Sequence, residues 1–367
     1  MIKLSQYSHI RSHVLWHDLL DLQIPLTSPI EKFLIEHSQS FLNEDEIPFW
    51  NWNDADAKLF RYLIQNGLIV SADTKEDGLF YPHRVDIETV SHCNARCTYC
   101  PQSLSPKPKA VMAMSIFAKL LERLKPYSPK WIALNHYGEP LLDPFFNERV
   151  NMMSEQNHKL FLFTNGVFMT EDLLHFLSHR LLHGVGINFP SLEPLEWARM
   201  MRLSQANFSR TLHQIESAVS LLSGKVAQLE ILINNIDNDQ SGRVDRIRGH
   251  FDHFGEVNII KWGSHSRAGS IENSQVYCAQ HNNQASFWGC ERIVGQLHVS
   301  VTGDCFLCCQ DYFQKYQFGN IVSHSIDDIM RHGAANELRA EIYGSRKMIT
   351  DRICRKCVRL RLNRHEV

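Results

Sequence analysis

The feature that most constrains this 367-residue chain is a run of three closely spaced cysteines, Ser91-His92-Cys93-Asn94-Ala95-Arg96-Cys97-Thr98-Tyr99-Cys100. It follows a β-like run, Arg84–Val90, so the three thiols sit in a loop at a strand end. An odd number of thiols in one loop leaves one unpaired, which speaks against a disulfide set. Zinc usually takes four ligands, often as two pairs, and no close second pair accompanies these three. Three thiolates on a short loop suit three irons of a [4Fe–4S] cluster and leave the fourth iron open to chelate a substrate or cofactor. Three buried free thiols are the plain alternative.

The other cysteines are distributed unevenly. Of ten, none lies in 1–92, three lie in 93–100, none in 101–277 and seven in 278–357. Such clustering reads as two separate metal centres kept reduced, and so as a cytoplasmic protein. A net charge of −2 without a basic stripe argues against nucleic acid. No apolar run approaches the ~18 residues of a membrane span, and Met1–Gln6 lacks the apolar core of a signal peptide. Length predicts two or three domains of ~150 residues each.

From Val85 the chain alternates between two periodicities. Strand-like runs at 85–90, 131–136, 160–164, 184–188, 229–234 and 257–262 are separated by helical patterns. The clearest is the stripe Phe208, Leu212, Ile215, Val219, Leu222. Six such units predict a parallel sheet with right-handed crossovers, too short for a closed eight-stranded barrel: an α/β fold with a partial (β/α)6 barrel. Sites in such barrels gather at the C-terminal strand ends, where the cysteine loop falls.

The C-x3-C-x2-C run, with Tyr99 before the last cysteine, resembles the signature of the radical S-adenosylmethionine (SAM) superfamily. That resemblance implies a SAM-binding [4Fe–4S] cluster on Cys93, Cys97 and Cys100. Reduction of such a cluster cleaves SAM and releases a 5′-deoxyadenosyl radical. His136-Tyr137-Gly138-Glu139-Pro140 resembles the family's Gly-Gly-Glu-Pro motif, with Tyr137 in place of the first Gly. Gly138 and Glu139 are then expected to hold the SAM amino group. The resemblance also implies SAM contacts from Tyr99, from Asn188 and Ser191 after strand four, and from Arg202 (preferred over Arg199) as the carboxylate partner. Asn234-Asn235 are adenosine or substrate candidates, and Arg267-Ala268-Gly269 resembles the barrel's exit turn.

Residues 266–367 carry Cys290, a hairpin pattern turning at Gly303-Asp304, Cys305, Cys308, Cys309 and a terminal Cys354-x2-Cys357. This resembles the SPASM or twitch extension, which houses auxiliary iron–sulfur clusters. The family register implies one auxiliary [4Fe–4S] cluster on Cys290, Cys308, Cys354 and Cys357. Cys278, Cys305 and Cys309 are then surplus, with Cys278 a candidate hydrogen-atom donor. A structural zinc on the two cysteine pairs is the competing reading.

Residues 1–80 read as strands over 8–16 and before Pro25, a helix starting at Ser28-Pro29, a helix from about Asp54 to Asn66 capped by Gly67, and a closing strand at 68–71. This resembles the winged-helix-type leader-recognition module of peptide maturases. Those bind a precursor peptide by strand addition; a simple capping subdomain is the alternative. The expected organisation is thus 1–80 recognition or capping module, 81–265 barrel and 266–367 SPASM/twitch domain. The resemblance implies a SAM-cleaving maturase of a ribosomal precursor peptide. It would be served by a low-potential donor such as a flavodoxin or ferredoxin. The rivals are a small-molecule dehydrogenase or epimerase, and a non-enzymatic iron–sulfur scaffold or sensor.

Overall fold

The structure is a computed structural model that describes residues 1–38, 40–43, 46–76, 78–234, 242–263, 266–271, 289–343, 346–347, 352–357 and 365–366. The N-terminal module contains β1 (Ile2–Leu4), β2 (Ser8–Arg11), β3 (Val14–His17), β4 (Leu22–Pro25), α1 (Ser28–Glu36), α2 (Asp54–Gln65) and β5 (Ile69–Ser71). The single strand expected over 8–16 is a hairpin. Ser12 and His13 both take left-handed φ, +48° and +62°, forming a two-residue turn whose twist matches paired strands. Thr27 takes the cap position of α1, which ends at Glu36, and Phe41 beyond it is exposed. Asn53 caps α2 by accepting from the Ala55 and Asp56 amides, and Gly67 follows with φ +73°. Ala57, Phe60 and Leu63 face inward, while Ile64 is turned out.

The barrel runs β6 (Arg84–Ile87), α3 (Met114–Leu124), β7 (Trp131–Ala133), α4 (Phe146–Glu155), β8 (Leu160–Thr164), α5 (Glu171–Ser178), β9 (Leu182–Asn188), α6 (Pro194–Met201), α7 (Phe208–Leu222), β10 (Gln228–Asn234), α8 (Arg243–Phe251) and β11 (Asn258–Trp262). The six strands are parallel and adjacent in chain order. Phe208, Ile215, Val219 and Leu222 of α7 are buried against the same core as Val185, Ile187, Ile231 and Ile233 of the sheet. Strand residues buried on both faces and helices buried along one stripe are what this architecture requires.

The C-terminal part adds α9 (Arg292–Gly295), β12 (Gln296–Val299), β13 (Asp304–Phe306), β14 (Gln317–Asn320), α10 (Ile326–Met330), α11 (Gly333–Ile342) and β15 (His365–Glu366). β12 lies parallel to β6, with Gln296 opposite Arg84 and Val299 opposite Ile87, so the barrel sheet continues past its first strand to nine strands. β13 and β14 extend it antiparallel through the expected turn at Gly303-Asp304. A second apolar cluster joins Tyr7 of the N-terminal module to Ile293, Val294, Leu307, Cys308, Ile342 and Tyr343. β15 pairs with β2, making β4 the outermost strand on the opposite side of that sheet among the described residues.

Candidate functional site: two cysteine-lined cavities

A cavity of about 250 Å³ opens at the C-terminal ends of the barrel strands, lined by Cys93, Cys97, Cys100, Tyr99, Gly138 and Glu139 among others. The cysteine loop is fixed at several points. The Arg96 and Thr98 amides donate to the Met201 and Met200 carbonyls at the end of α6, at 3.1 and 2.9 Å. The Ala95 amide lies 3.4 Å from Cys93 Sγ, and the Asn165 side chain reaches both Cys93 Sγ (3.7 Å) and Asn94 Oδ1 (2.7 Å). Burial, then the Glu139 carboxylate, pushes the Cys93 thiol up to about 12; burial raises Cys97 and Cys100 too. Thiols buried without a cation stay protonated, and a bound iron cluster supplies the charge that deprotonates them. Among the described residues no three His, Cys, Asp or Glu groups meet at single-ion distance. The thiols instead ring a space, which suits a cluster, and the residues present fit the group.

The loop after β7 explains the glycine. A Cβ on Gly138 would lie 2.0 Å from the Val90 carbonyl oxygen and 3.1 Å from that of His92, both backbone atoms at the root of the cysteine loop. Glu139 is 2% exposed. Its amide donates to the His92 carbonyl, and its carboxylate accepts from Thr164 Oγ1 (2.7 Å), the Asn165 amide (2.9 Å) and the Leu141 amide (3.3 Å). Burial pushes this carboxyl up to about 7 against those hydrogen bonds, and a cation placed beside it would favour its ionised form. Tyr137, the departure from the family motif, donates its hydroxyl to the Cys309 carbonyl at 2.6 Å and packs edge-on against Tyr312. It ties the motif to the C-terminal segment.

The remaining expected residues divide. Tyr99, Asn188 and Asn234 line the cavity, with Asn234 donating to Asn188 Oδ1 at 2.8 Å. Ser191 is buried but serves the start of α6, donating to Glu196 at 2.6 Å. Arg202 ends α6 in a left-handed conformation and is exposed, and the Arg199 side chain is 77% exposed; neither lines the cavity. Asn235 and Cys278 lie outside the described residues. Sequence reasoning left out Arg84, Trp262, Arg292 and Cys309, all of which line this cavity along with Arg267. Burial pushes the Cys309 thiol up, but the Arg292, Arg267 and Arg84 guanidiniums outweigh it and hold it below the usual thiol range. Arg292 contacts its sulfur directly.

A second, apolar cavity collects Cys290, Cys308, Cys354 and Cys357, the four expected auxiliary ligands, with Arg292, Ile293, Leu307, Gln310, Ile342 and Ile353. Burial pushes Cys354 up to about 12 and raises Cys290 and Cys308 further, with the neighbouring thiols adding to it. Four thiols around one closed space fit a fully ligated cluster. Cys305 points away, wholly buried in the sheet core.

A partial parallel barrel with three thiols and a buried carboxylate at its strand ends, joined to a four-thiol cavity, defines an iron–sulfur enzyme with a catalytic and an auxiliary centre. The profile of the radical SAM superfamily matches residues 87–239, and that of the SPASM iron–sulfur cluster-binding domain matches residues 290–358. The chain thus carries a radical SAM domain and a SPASM domain, and is an enzyme that uses SAM and [4Fe–4S] clusters. It is 22% identical over 280 residues to the S-adenosyl-L-methionine-dependent 2-deoxy-scyllo-inosamine dehydrogenase of Niallia circulans, covering 74% of this chain and 91% of that one. Its fold is similar to Streptococcus suis SuiB bound to precursor peptide SuiA (TM-score 0.53, 12% identity, 97% of this chain and 93% of that chain). It is also similar to anSMEcpe with bound AdoMet (TM-score 0.51, 16% identity, 77% of this chain and 90% of that chain).

Proposed function

We propose that this enzyme is a peptide maturase that installs a crosslink, thioether or epimer in a ribosomally made precursor. The observation that carries this reading is the N-terminal module. The similarity to the SuiB fold extends over 97% of the chain, so it takes in most of this module. The outer edge of β4 is where a leader segment would add a strand, gaining backbone hydrogen bonds.

When bound, the cluster and SAM supply the power to abstract hydrogen from an unactivated C–H bond. The chain's own residues do the rest. Cys93, Cys97 and Cys100 hold the cluster, with Asn165 orienting Cys93. Gly138 lets the motif loop approach the cysteine loop, and Glu139 orders that loop and meets the SAM ammonium. Phe163, Leu232 and Trp262 add apolar wall to the cavity, and Arg267 and Arg292 add positive charge to it. Cys290, Cys308, Cys354 and Cys357 would hold an auxiliary cluster, which would supply one-electron chemistry beside the barrel site. A cytoplasmic location and a flavodoxin or ferredoxin as reductant accompany this reading. No helix among the described residues is long and apolar enough to cross a membrane.

A small-molecule dehydrogenase is the second reading, favoured by the identity that runs along 91% of the aminocyclitol enzyme. Anaerobic protein with dithionite and SAM decides between them. It is offered synthetic precursor peptides encoded beside the gene and, separately, 2-deoxy-scyllo-inosamine. A peptide mass change that depends on the leader supports the maturase. Turnover of the aminocyclitol with all such peptides inert overturns it.

A further inference from the structure

Gln310 is 2% exposed, and neither atom of its side-chain amide has a hydrogen-bond partner among the described residues. A buried amide left wholly unpaired costs free energy that native folds avoid. This one lines the auxiliary cavity beside Cys290, Cys308, Cys354 and Cys357, and its own backbone N–H already points at Cys308 Sγ, 3.4 Å away. The other walls are isoleucine, leucine and Arg292. Arg292 is committed through Nη1 to Cys309 on the far side.

We infer that Gln310 is a tuning residue of the auxiliary centre: its side-chain NH2 donates a hydrogen bond to a sulfur of the cluster. The chemistry allows one orientation. The sulfur rim of a thiolate-ligated cluster accepts hydrogen bonds and donates none, so the NH2 faces it. A cluster gains negative charge on reduction, so a donated hydrogen bond stabilises the reduced form and raises the reduction potential. The four cysteines leave no iron open, which makes this centre an electron carrier, and for a carrier the potential is the property that matters. Gln310 thereby favours acceptance of an electron released on the substrate side.

The test is made on anaerobically loaded full-length protein, with iron content measured first. In Gln310→Leu the auxiliary midpoint, followed by EPR redox titration, falls. The expected size is about a tenfold drop in the reduced-to-oxidised ratio at fixed potential, ~59 mV for one electron. Gln310→Glu falls at least as far. The SAM-binding cluster, titrated in the same sample, does not move. Full iron content with unchanged auxiliary midpoints in both variants overturns the inference. Wild-type protein carrying glutamine labelled with 15N only at the side-chain amide decides the matter even where a variant loses iron. A nitrogen coupling on the reduced auxiliary cluster in pulsed EPR supports the hydrogen bond, and its absence refutes it.

Discussion

Gly138→Ala isolates the contact on which the cysteine loop rests. The added Cβ would meet the Val90 carbonyl oxygen at 2.0 Å and its carbon at 2.8 Å. Carbon and oxygen need about 3.2 Å, so roughly 1.2 Å must be found, and the obstacle is backbone rather than a flexible side chain end. Val90 and His92 precede Cys93, so the shift passes into the cluster loop or pushes Glu139 away from Thr164 and Asn165. Overpacking of this kind costs about 1–3 kcal/mol of stability, and a displacement near 1 Å costs on the order of 100-fold in rate. Gly249→Ala is the matched control: it is helical, and a Cβ there meets nothing within 4 Å. It should be neutral or stabilising by up to about 1 kcal/mol. The assay is 5′-deoxyadenosine formed from SAM under anaerobic reduction, normalised to iron, with thermal unfolding alongside. If Gly138→Ala produces 5′-deoxyadenosine within threefold of wild type, the close approach does not set the geometry of the site.

Single substitutions Cys290→Ala, Cys308→Ala, Cys354→Ala and Cys357→Ala should each lower iron from about eight to about four per chain, whereas Cys305→Ala and Cys309→Ala should keep about eight; chemical iron and sulfide analysis reads this out. Glu139 has its folded pKa raised to about 7, so the stability it adds by staying protonated is present below its ordinary value of 4.5 and is lost as pH rises through 7. Cofactor-free wild type should therefore lose up to about 3 kcal/mol relative to Glu139→Gln across that window, seen as a difference in slope of urea-unfolding free energy against pH; parallel slopes would contradict it. Arg149 is fully buried, donates from Nε to Asp143 at 2.8 Å and also reaches the Met112 carbonyl. Arg149→Met strands the Asp143 charge and should cost about 3–5 kcal/mol, with Asp143→Asn added to it recovering part, by urea unfolding.

What could be read from the chain was what spacing fixes locally. Cys93, Cys97 and Cys100 share one loop, Gly138-Glu139 one turn, and Cys354 and Cys357 one short helical turn, so residue order implies proximity. Alternation of strand and helix patterns likewise made the six parallel strands legible, most strongly in β8 and β9, where both-face burial leaves a run of apolar residues. The Ser12-His13 turn escaped because neither residue advertises a left-handed φ as Gly or Asn does, so the alternation read straight through the hairpin. Arg202 follows the predicted strand four closely in the chain, but chain proximity says nothing about direction: the backbone there turns left-handed and the residue is exposed, off the cavity. Arg84, Arg292 and Cys309 were missed for a different reason. Their place in the barrel cavity depends on β12 pairing with β6 across more than 200 residues, a register no local pattern contains.

Beyond the strands that this register places, three consecutive residues divide between the two cavities. Cys308 and Gln310 line the auxiliary cavity, Cys309 between them lines the barrel cavity, and Arg292 borders both. The Asp311 amide donates to the Cys308 carbonyl at 2.9 Å, closing a turn over 308–311 that separates these side chains. Here it makes the 308–310 segment the partition between the two centres. The Tyr137 hydroxyl grips that partition at the Cys309 carbonyl, and Arg292 grips it at the Cys309 sulfur. The replacement of a motif glycine by Tyr137 thus adds a contact from the loop after β7 to the wall of the second cavity.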